Sequence, residues 1–351
     1  MNEVVYINYL SRPRNNSEKE KNWVTNRIAT KKVLREDITK TMPMKQFYFG
    51  NPGDHYITFQ IPKRNGTMRT IEAPDERLKP VQQDMLKYFT KILKMLPHNA
   101  AHGFTANRNC KTALEVHRKH KSRWFLKVDI HDFFGSTTEA MVAEAFANTY
   151  PTCNASTWTK NSWTKICTKD GKVPQGAPTS PFICNLVMIP YDMKIQNYCH
   201  KNGLIYTRYA DDILISSRCD WDWRETLTFL KKCLSPYTLS EDKTRYGNFN
   251  GRNWNLGIMY NNQYRLTIGH EKKNIIKVRV HNFLTKPETR TDKEWYSLMG
   301  TLSYAKYIEP DYEKFDWWMT QLSQFRPTNV INTTPNHNTH NETEHTDTIP
   351  F

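Results

Sequence analysis

The chain has 351 residues, with 50 Lys and Arg against 35 Asp and Glu, a formal net charge of +15, and 38% hydrophobic and 13% aromatic residues. That length provides for two or three structural units with a buried core, and the aromatic share excludes disorder throughout. No apolar run approaches the roughly 20 residues of a membrane helix, and Met1 to Arg14 lacks the apolar core of a signal peptide, so a membrane or secreted protein is not expected.

Residues 1–50 are polar and charged and read as an N-terminal helical extension. Tyr56 to Ile61 alternates as a strand does, Lys63-Arg64-Asn65-Gly66 is a hairpin turn, and Thr67 to Ile71 returns. Arg77 to Leu96 carries apolar residues at a helical period, with Pro80 in its first turn. His117 and His120 share a helical face and read as a satisfied surface pair. Trp124 to Ile130 is an apolar run of strand type. Ser136-Thr137-Thr138-Glu139 is a capping box that opens a helix through Tyr150, and 151–172 is a polar connection rich in Thr and Lys. One helix is expected from Ser180 to about His200, closed by Gly203. Leu204 to Tyr209 and Ile213 to Ser217 are strands flanking Ala210-Asp211-Asp212, and Arg224 to Leu234 is a short amphipathic helix. Trp254 to Tyr260 and Gln263 to Ile268 form a second hairpin, turning at Asn261-Asn262. Helices follow at about Asn274 to Leu284, Asp292 to Ile308 and Glu313 to Phe325. The last segment, 327–351, is rich in Asn, Thr and His and reads as a disordered tail.

The seven cysteines are scattered with no Cys-x-x-Cys pair, which fits reduced thiols rather than a zinc or redox motif. No Lys or Arg follows Arg326, while Glu342, Glu344 and Asp347 are acidic, so the body is more basic than the whole chain. Such a body suits a polyanionic partner, most simply nucleic acid.

Three acids sit where acids are rare. Asp129 ends an apolar strand, and Asp211 and Asp212 occupy the tip of an apolar hairpin. A single aspartate at a strand end is ordinarily a turn or cap residue. Three brought together repel one another unless a cation neutralises them. Hard oxygen ligands suit Mg²⁺, which takes a few carboxylates plus substrate phosphates, and two such ions stabilise both oxygens of an in-line phosphoryl displacement.

Phe125-Leu126-Lys127-Val128-Asp129-Ile130-His131-Asp132-Phe133-Phe134 resembles motif A of reverse transcriptases. Val173-Pro174-Gln175-Gly176-Ala177-Pro178-Thr179-Ser180-Pro181 resembles their motif B, and Tyr209-Ala210-Asp211-Asp212 is the YADD form of motif C. Glu241-Asp242-Lys243-Thr244 is similar to motif D, and Asn255-Leu256-Gly257-Ile258 to motif E. The resemblance extends to finger elements around Lys63 to Pro74 and Ala101-His102-Gly103-Phe104, and to the thumb at Gly300 to Tyr304, so that it covers roughly residues 55–325. The similar enzymes are bacterial: those of retrons, group II introns and phage defence. Motif B leans to the retron and intron side. Two retron hallmarks are altered here, at Thr112-Ala113-Leu114-Glu115-Val116-His117 and at Trp254-Asn255-Leu256-Gly257.

The resemblance implies an α+β right-hand polymerase. It places the fingers at 51–123, a palm of antiparallel sheet plus helices at 124–260 and a helical thumb at 261–326. It implies that Asp129 and Asp211, with the Ile130 carbonyl, hold two Mg²⁺ ions (Mn²⁺ being the alternative), and that Asp212 is an accessory ligand. Lys243 is implied to protonate the pyrophosphate, against the plain alternative of a surface lysine. Lys63 and Arg69 are implied to hold the triphosphate. Phe134 would exclude a ribose 2′-oxygen, Gln175 and Gly176 would back the nucleotide, and Tyr209 would underlie the primer terminus. Leu256 and Gly257 would grip the primer. The thumb bases Lys272, Lys273, Lys277, Arg279, Lys286 and Arg290 would follow a phosphate backbone. Trp317-Trp318 reads as core packing before base stacking. The expected activity is RNA-directed DNA synthesis in the bacterial cytoplasm from dNTPs and a DNA primer. The expected partners are a structured noncoding RNA as template and an effector or partner protein, as in antiphage defence. Template-independent or protein-primed synthesis by the same site, and an inactive RNA-binding scaffold, stay open on the sequence alone.

Overall fold

The computed structural model describes residues 51–63, 66–249, 254 and 257–326. The expected N-terminal extension, the tail at 327–351 and Leu256 lie outside the described residues. The chain divides into two units, residues 1–248 and 249–351.

The first unit opens with a ribbon of β1 (Tyr56–Pro62) and β2 (Met68–Pro74), paired antiparallel from Tyr56↔Pro74 to Pro62↔Met68. The turn between them closes through Lys63 N–H to the Thr67 carbonyl, 2.7 Å. Helix α1 (Leu78–Lys87) is started by Asp75, whose Oδ1 accepts from the Arg77 and Leu78 amides. The single helix expected to Leu96 is interrupted: Tyr88–Ile92 widens into a π-turn. That register buries Tyr88 and Phe89 together, with Phe89 lying 5.3 Å from the Trp163 ring and 5.5 Å from Phe146. Helix α2 (Cys110–Lys119) has a reciprocal cap between Asn109 and Thr112.

The main sheet has four antiparallel strands in the order β4-β5-β3-β6, formed by β3 (Trp124–Ile130), β4 (Ile205–Tyr209), β5 (Asp212–Ser217) and β6 (Leu239–Asn248). Central β3 buries Phe125, Leu126, Val128 and Ile130, as its apolar run requires. After it come a one-turn helix α3 (Phe133–Ser136) and α4 (Glu139–Asn148), whose N-cap Thr138 accepts from the Met141 amide.

The stretch 151–172 corrects the expected connection, because α5 (Thr157–Cys167) runs through it under a Ser156 cap. Its buried side holds Thr159, Trp163, Thr164, Ile166 and Cys167. Thr164 hides the stripe from a hydropathy reading, yet its hydroxyl donates back to the Lys160 carbonyl at 2.9 Å and so is satisfied inside the helix. The helix expected from Ser180 to His200 is two, α6 (Ser180–Val187) and α7 (Ile189–Lys201). Pro190 stands at the break; it has no N–H to donate and its ring opposes the carbonyl four residues back. Helix α8 (Trp223–Cys233) precedes β6.

The second unit holds a short ladder of β7 (Met259–Tyr260) and β8 (Leu266–Thr267), then α9 (His270–Thr285), α10 (Asp292–Ile308) and α11 (Lys314–Ser323). Among the described residues of the hairpin expected from Trp254 to Ile268, the pairing seen is this two-residue ladder. Asn261 Oδ1 instead takes the Gln263 and Arg265 amides, and Tyr264 turns left-handed to stack on Tyr260 at 4.8 Å. The three helices close over Phe283, Trp295, Leu298, Leu302, Phe315, Trp318 and Leu322. Among the described residues no helix is long and apolar enough to cross a membrane.

Candidate active site

The acids that the sequence singles out meet at one end of the main sheet. Asp129 and Asp212 are direct cross-strand partners on β3 and β5. Tyr209 also pairs with Asp212, so Ala210 and Asp211 alone make the turn from β4 to β5. The Ile130 amide donates to the Asp211 carbonyl at 3.0 Å, tying the end of β3 to that turn. Burial first, then the charges of Asp212 and Asp129, push the Asp211 carboxyl up to about 6. Burial also raises Asp212, against the pull of Lys127.

Two lysines answer this negative charge. Lys127 Nζ donates to Asp212 Oδ2 at 2.9 Å, and Lys243 Nζ to Asp129 Oδ1 at 2.8 Å. Ser240 Oγ donates to the same Asp129 oxygen at 2.9 Å. The bond to Asp129 holds the Lys243 ammonium above its ordinary value. Lys243 reaches Asp129 because β6 bulges: Lys127 pairs with Arg245, but Asp129 already pairs with Ser240. The intervening Glu-Asp-Lys-Thr run is thereby free of the ladder, and Thr244 Oγ1 closes it onto the Ser240 carbonyl at 3.0 Å.

The site suits hard divalent cations. Three carboxylates lie at one sheet end, and burial, with the two neighbouring carboxylates, pushes Asp211 toward its neutral form. Among the described residues no three Asp, Glu, His or Cys side chains close around a single point.

A support that sequence reading missed stands behind the turn. Arg208 is fully buried. Its guanidinium spans Asp192 at 2.7 and 2.8 Å, Asn185 Oδ1 at 3.0 Å and the Ala210 carbonyl at 2.9 Å. Tyr206 OH adds a bond of 2.6 Å to Asp192. Ala210 sits at φ 55, where L side chains are disfavoured, and the Arg208 bond to its carbonyl holds it there. Gly103 abuts the same turn: a β-carbon on it would lie 2.5 Å from the Ala210 nitrogen, so glycine alone fits. The only sequence signal was an arginine and an aspartate inside otherwise apolar segments.

The motif B loop rests on the ribbon, not on the carboxylates. Gln175 offers its carbonyl to the Glu72 amide at 2.7 Å, and a β-carbon on Gly176, at φ 129, would strike Ile71. Lys169 pins the same edge through Glu72 at 2.6 Å. Lys63 and Arg69 are exposed on that ribbon, Arg69 opposite Ile61 in the register and Lys63 two residues beyond it. Phe134 is half-buried on α3, and burial raises the half-buried Tyr209 hydroxyl. Gly257, at φ 83, belongs to the second unit.

One further expectation is corrected. His117 is not a surface residue but fully buried, bonded through Nδ1 to Ser216 Oγ and through Nε2 to Thr207 Oγ1 at 2.8 Å. Of the bases expected to follow phosphates, three are engaged inside their own unit. Lys273 pairs with Glu309, Arg279 forks onto Glu294, and Arg290 caps α9 carbonyls. Trp318 is core, as expected, whereas Trp317 is 58% exposed.

A four-stranded antiparallel sheet flanked by helices, with paired aspartates at one end, is the palm arrangement of a right-hand polymerase fold. The family model described as reverse transcriptase (RNA-dependent DNA polymerase) matches residues 61–278. The retron Ec83 reverse transcriptase of Escherichia coli is 28% identical over 74% of this chain and 85% of its own length. The retron Mx65 reverse transcriptase of Myxococcus xanthus is 30% identical over 73% of this chain and 62% of its own length. Among solved structures, a telomerase from Candida albicans with a TWJ fragment of telomeric RNA is similar at a TM-score of 0.47 and 12% identity, over 88% of this chain and 67% of that one. The chain belongs to the reverse transcriptase family and is an RNA-directed DNA polymerase similar to the bacterial retron enzymes.

Proposed function

We propose that this enzyme extends a DNA primer along a dedicated noncoding RNA in a retron-like antiphage system in the bacterial cytoplasm, using Asp129, Asp211 and Asp212 with two Mg²⁺ ions. The carrying observation is the cross-strand pair Asp129–Asp212 with Asp211 on the adjoining turn. Asp129 and Asp211, with the Ile130 carbonyl, hold the ions, and Asp212 assists. Two such ions would supply activation of the primer 3′-hydroxyl and neutralisation of the charge on the phosphates. Before they arrive, Lys243 and Lys127 shield Asp129 and Asp212. Lys243, 57% exposed and still protonated at neutral pH, is then placed to protonate the departing pyrophosphate.

The other roles follow the ribbon and its neighbours. Lys63 and Arg69 take the triphosphate, and the Gln175-Gly176 backbone lies against the incoming base pair. Phe134 blocks a ribose 2′-oxygen. Tyr209 supports the primer terminus, and Leu256 with Gly257 grips it. A structured RNA and an effector or partner protein complete the system.

The test is sequencing of the nucleic acid that co-purifies with the full chain. The expected result is DNA complementary to one RNA species, absent from Asp211→Asn, together with loss of phage protection in that variant. DNA unrelated to any bound RNA, or full protection by Asp211→Asn, would overturn the proposal.

A further inference from the structure

Phe104 combines two unfavourable features. Its φ is 55, in the left-handed region that non-glycine residues avoid, and its large apolar side chain is 48% exposed. Backbone strain of this kind survives only where the surroundings enforce it, and it concentrates at working sites.

The turn around Phe104 is held by the catalytic hairpin, by its Asn185 support and by one local bond. The His102 amide donates to the Arg208 carbonyl at 2.7 Å. Asn185 Nδ2 donates to the Gly103 carbonyl at 2.9 Å, and Thr105 Oγ1 donates to the same oxygen at 3.2 Å. Gly103 lies against Ala210 with no room for a β-carbon. The two residues that lead into Phe104 are thus tied to the strand and turn that carry Asp211.

What the strained turn presents is a wall for another ring. Phe104 and Phe134 lie 6.3 Å apart at 55°, and Phe133 flanks Phe134 at 5.7 Å and 53°. Phe133 is core, so one side of Phe134 is fixed from below. Phe134 also follows a left-handed residue, Asp132 at φ 44, which sets the direction of its one-turn helix. Two strained turns therefore bring two rings together, and the outer ring limits how far Phe134 can rotate into open space.

We propose that Phe104 is a positioning residue for sugar discrimination, which holds the Phe134 ring in the place where it excludes a ribose 2′-oxygen. The inference rests on the reading of Phe134 as the sugar gate. Without the Phe104 ring, Phe134 gains a rotamer that opens the gate. The phosphoryl transfer itself is untouched, because Phe104 meets none of the three aspartates.

The experiment measures kcat/KM for a dNTP and for the matching NTP on one primed RNA template, using the full chain and its Phe104→Ala, Phe134→Ala and double variants. Phe134→Ala should raise NTP use strongly. Phe104→Ala should lower discrimination by roughly threefold to tenfold, the span expected from an aromatic pair, with dNTP kcat/KM changed less than twofold. The double variant should discriminate no worse than Phe134→Ala alone. Parental discrimination in Phe104→Ala, beside relaxed discrimination in Phe134→Ala, overturns the inference and leaves the gate reading intact. No relaxation in Phe134→Ala overturns the gate reading and the inference with it. Equal loss of dNTP and NTP use in Phe104→Ala marks a structural role and also overturns it, as does an additive loss of discrimination in the double variant. Should Phe104→Ala fail to fold, Phe104→Leu reads the same ratio, and Phe104→Tyr should restore the parental value.

Discussion

Asp211 is a carboxylate that folding buries beside two others, and this placement penalises the native state. Its folded value of about 6 lies above the unfolded 3.8, so above pH 6 the native protein holds a charge it would rather lose. The penalty is present in full at neutral pH and fades as pH falls from 6 toward 3.8. Asp211→Asn should therefore stabilise the metal-free protein by about 3 kcal/mol at pH 7.5 while abolishing synthesis. The gain should shrink at pH 4.5, and it should narrow when Mg²⁺ is added. Urea melts at both pH values check this; identical midpoints for parent and variant at pH 7.5 would contradict it. The pair Asp192–Arg208 behaves in the opposite sense. Both side chains are fully buried, so Asp192→Asn leaves a cation without its counter-charge and should cost about 3–5 kcal/mol. A midpoint shift corresponding to less than about 1 kcal/mol in the same melts would show that Arg208 finds other partners.

Helix α2 is fastened to the main sheet by a histidine that cannot take a proton in place. Burial first, then the nearby His102 and His120, push the His117 ring down to about 3, whereas the unfolded value is near 6.5. His102, also buried, is pushed down to about 4. Folded values below unfolded ones mean that only the unfolded chain gains protons as pH drops below 6.5. Stability should then fall by about 1.4 kcal/mol per pH unit for each histidine, down to the folded values. His117→Gln should be less stable at pH 7.5 but should show a shallower loss between pH 6.5 and 5, read by urea titration at several pH values. A parallel pH dependence would assign the acid sensitivity elsewhere.

The elements divide by how openly their physics is written in sequence. The central strand β3 and the YADD hairpin follow from local composition, and the sheet register then brings Asp129 opposite Asp212; the capping box read at Ser136 is instead a Thr138 cap, because Ser136 ends the preceding one-turn helix. Helix α5 was hidden because threonines occupy its inward positions and satisfy their hydroxyls within the helix. The break at Pro190 was legible but outweighed by the long apolar period around it. Strand β6 carries Glu-Asp-Lys-Thr-Arg and pairs only with β3, so it has no apolar alternation to announce it. Its bulge and the Lys243–Asp129 bond are properties of the pairing, and no window of residues contains them. The Arg208 support is likewise a long-range fact, joining α6, α7 and β4.

Across the whole molecule the charge of +15 and the acidic cluster play complementary parts. A basic excess of this kind favours a polyanionic partner, and the three aspartates form a local exception to it, which the proposed function reads as a site for hard cations. Neither feature alone distinguishes catalysis from binding. The most direct measurement is extension of a primed RNA template with labelled dNTPs and Mg²⁺ by the full chain, beside Asp211→Asn and a chelator control. The account predicts a product whose sequence follows the template in the parent, and none in the variant or in the chelator, while the variant still binds the primed template. Synthesis by Asp211→Asn, or product that persists in the chelator, would contradict it.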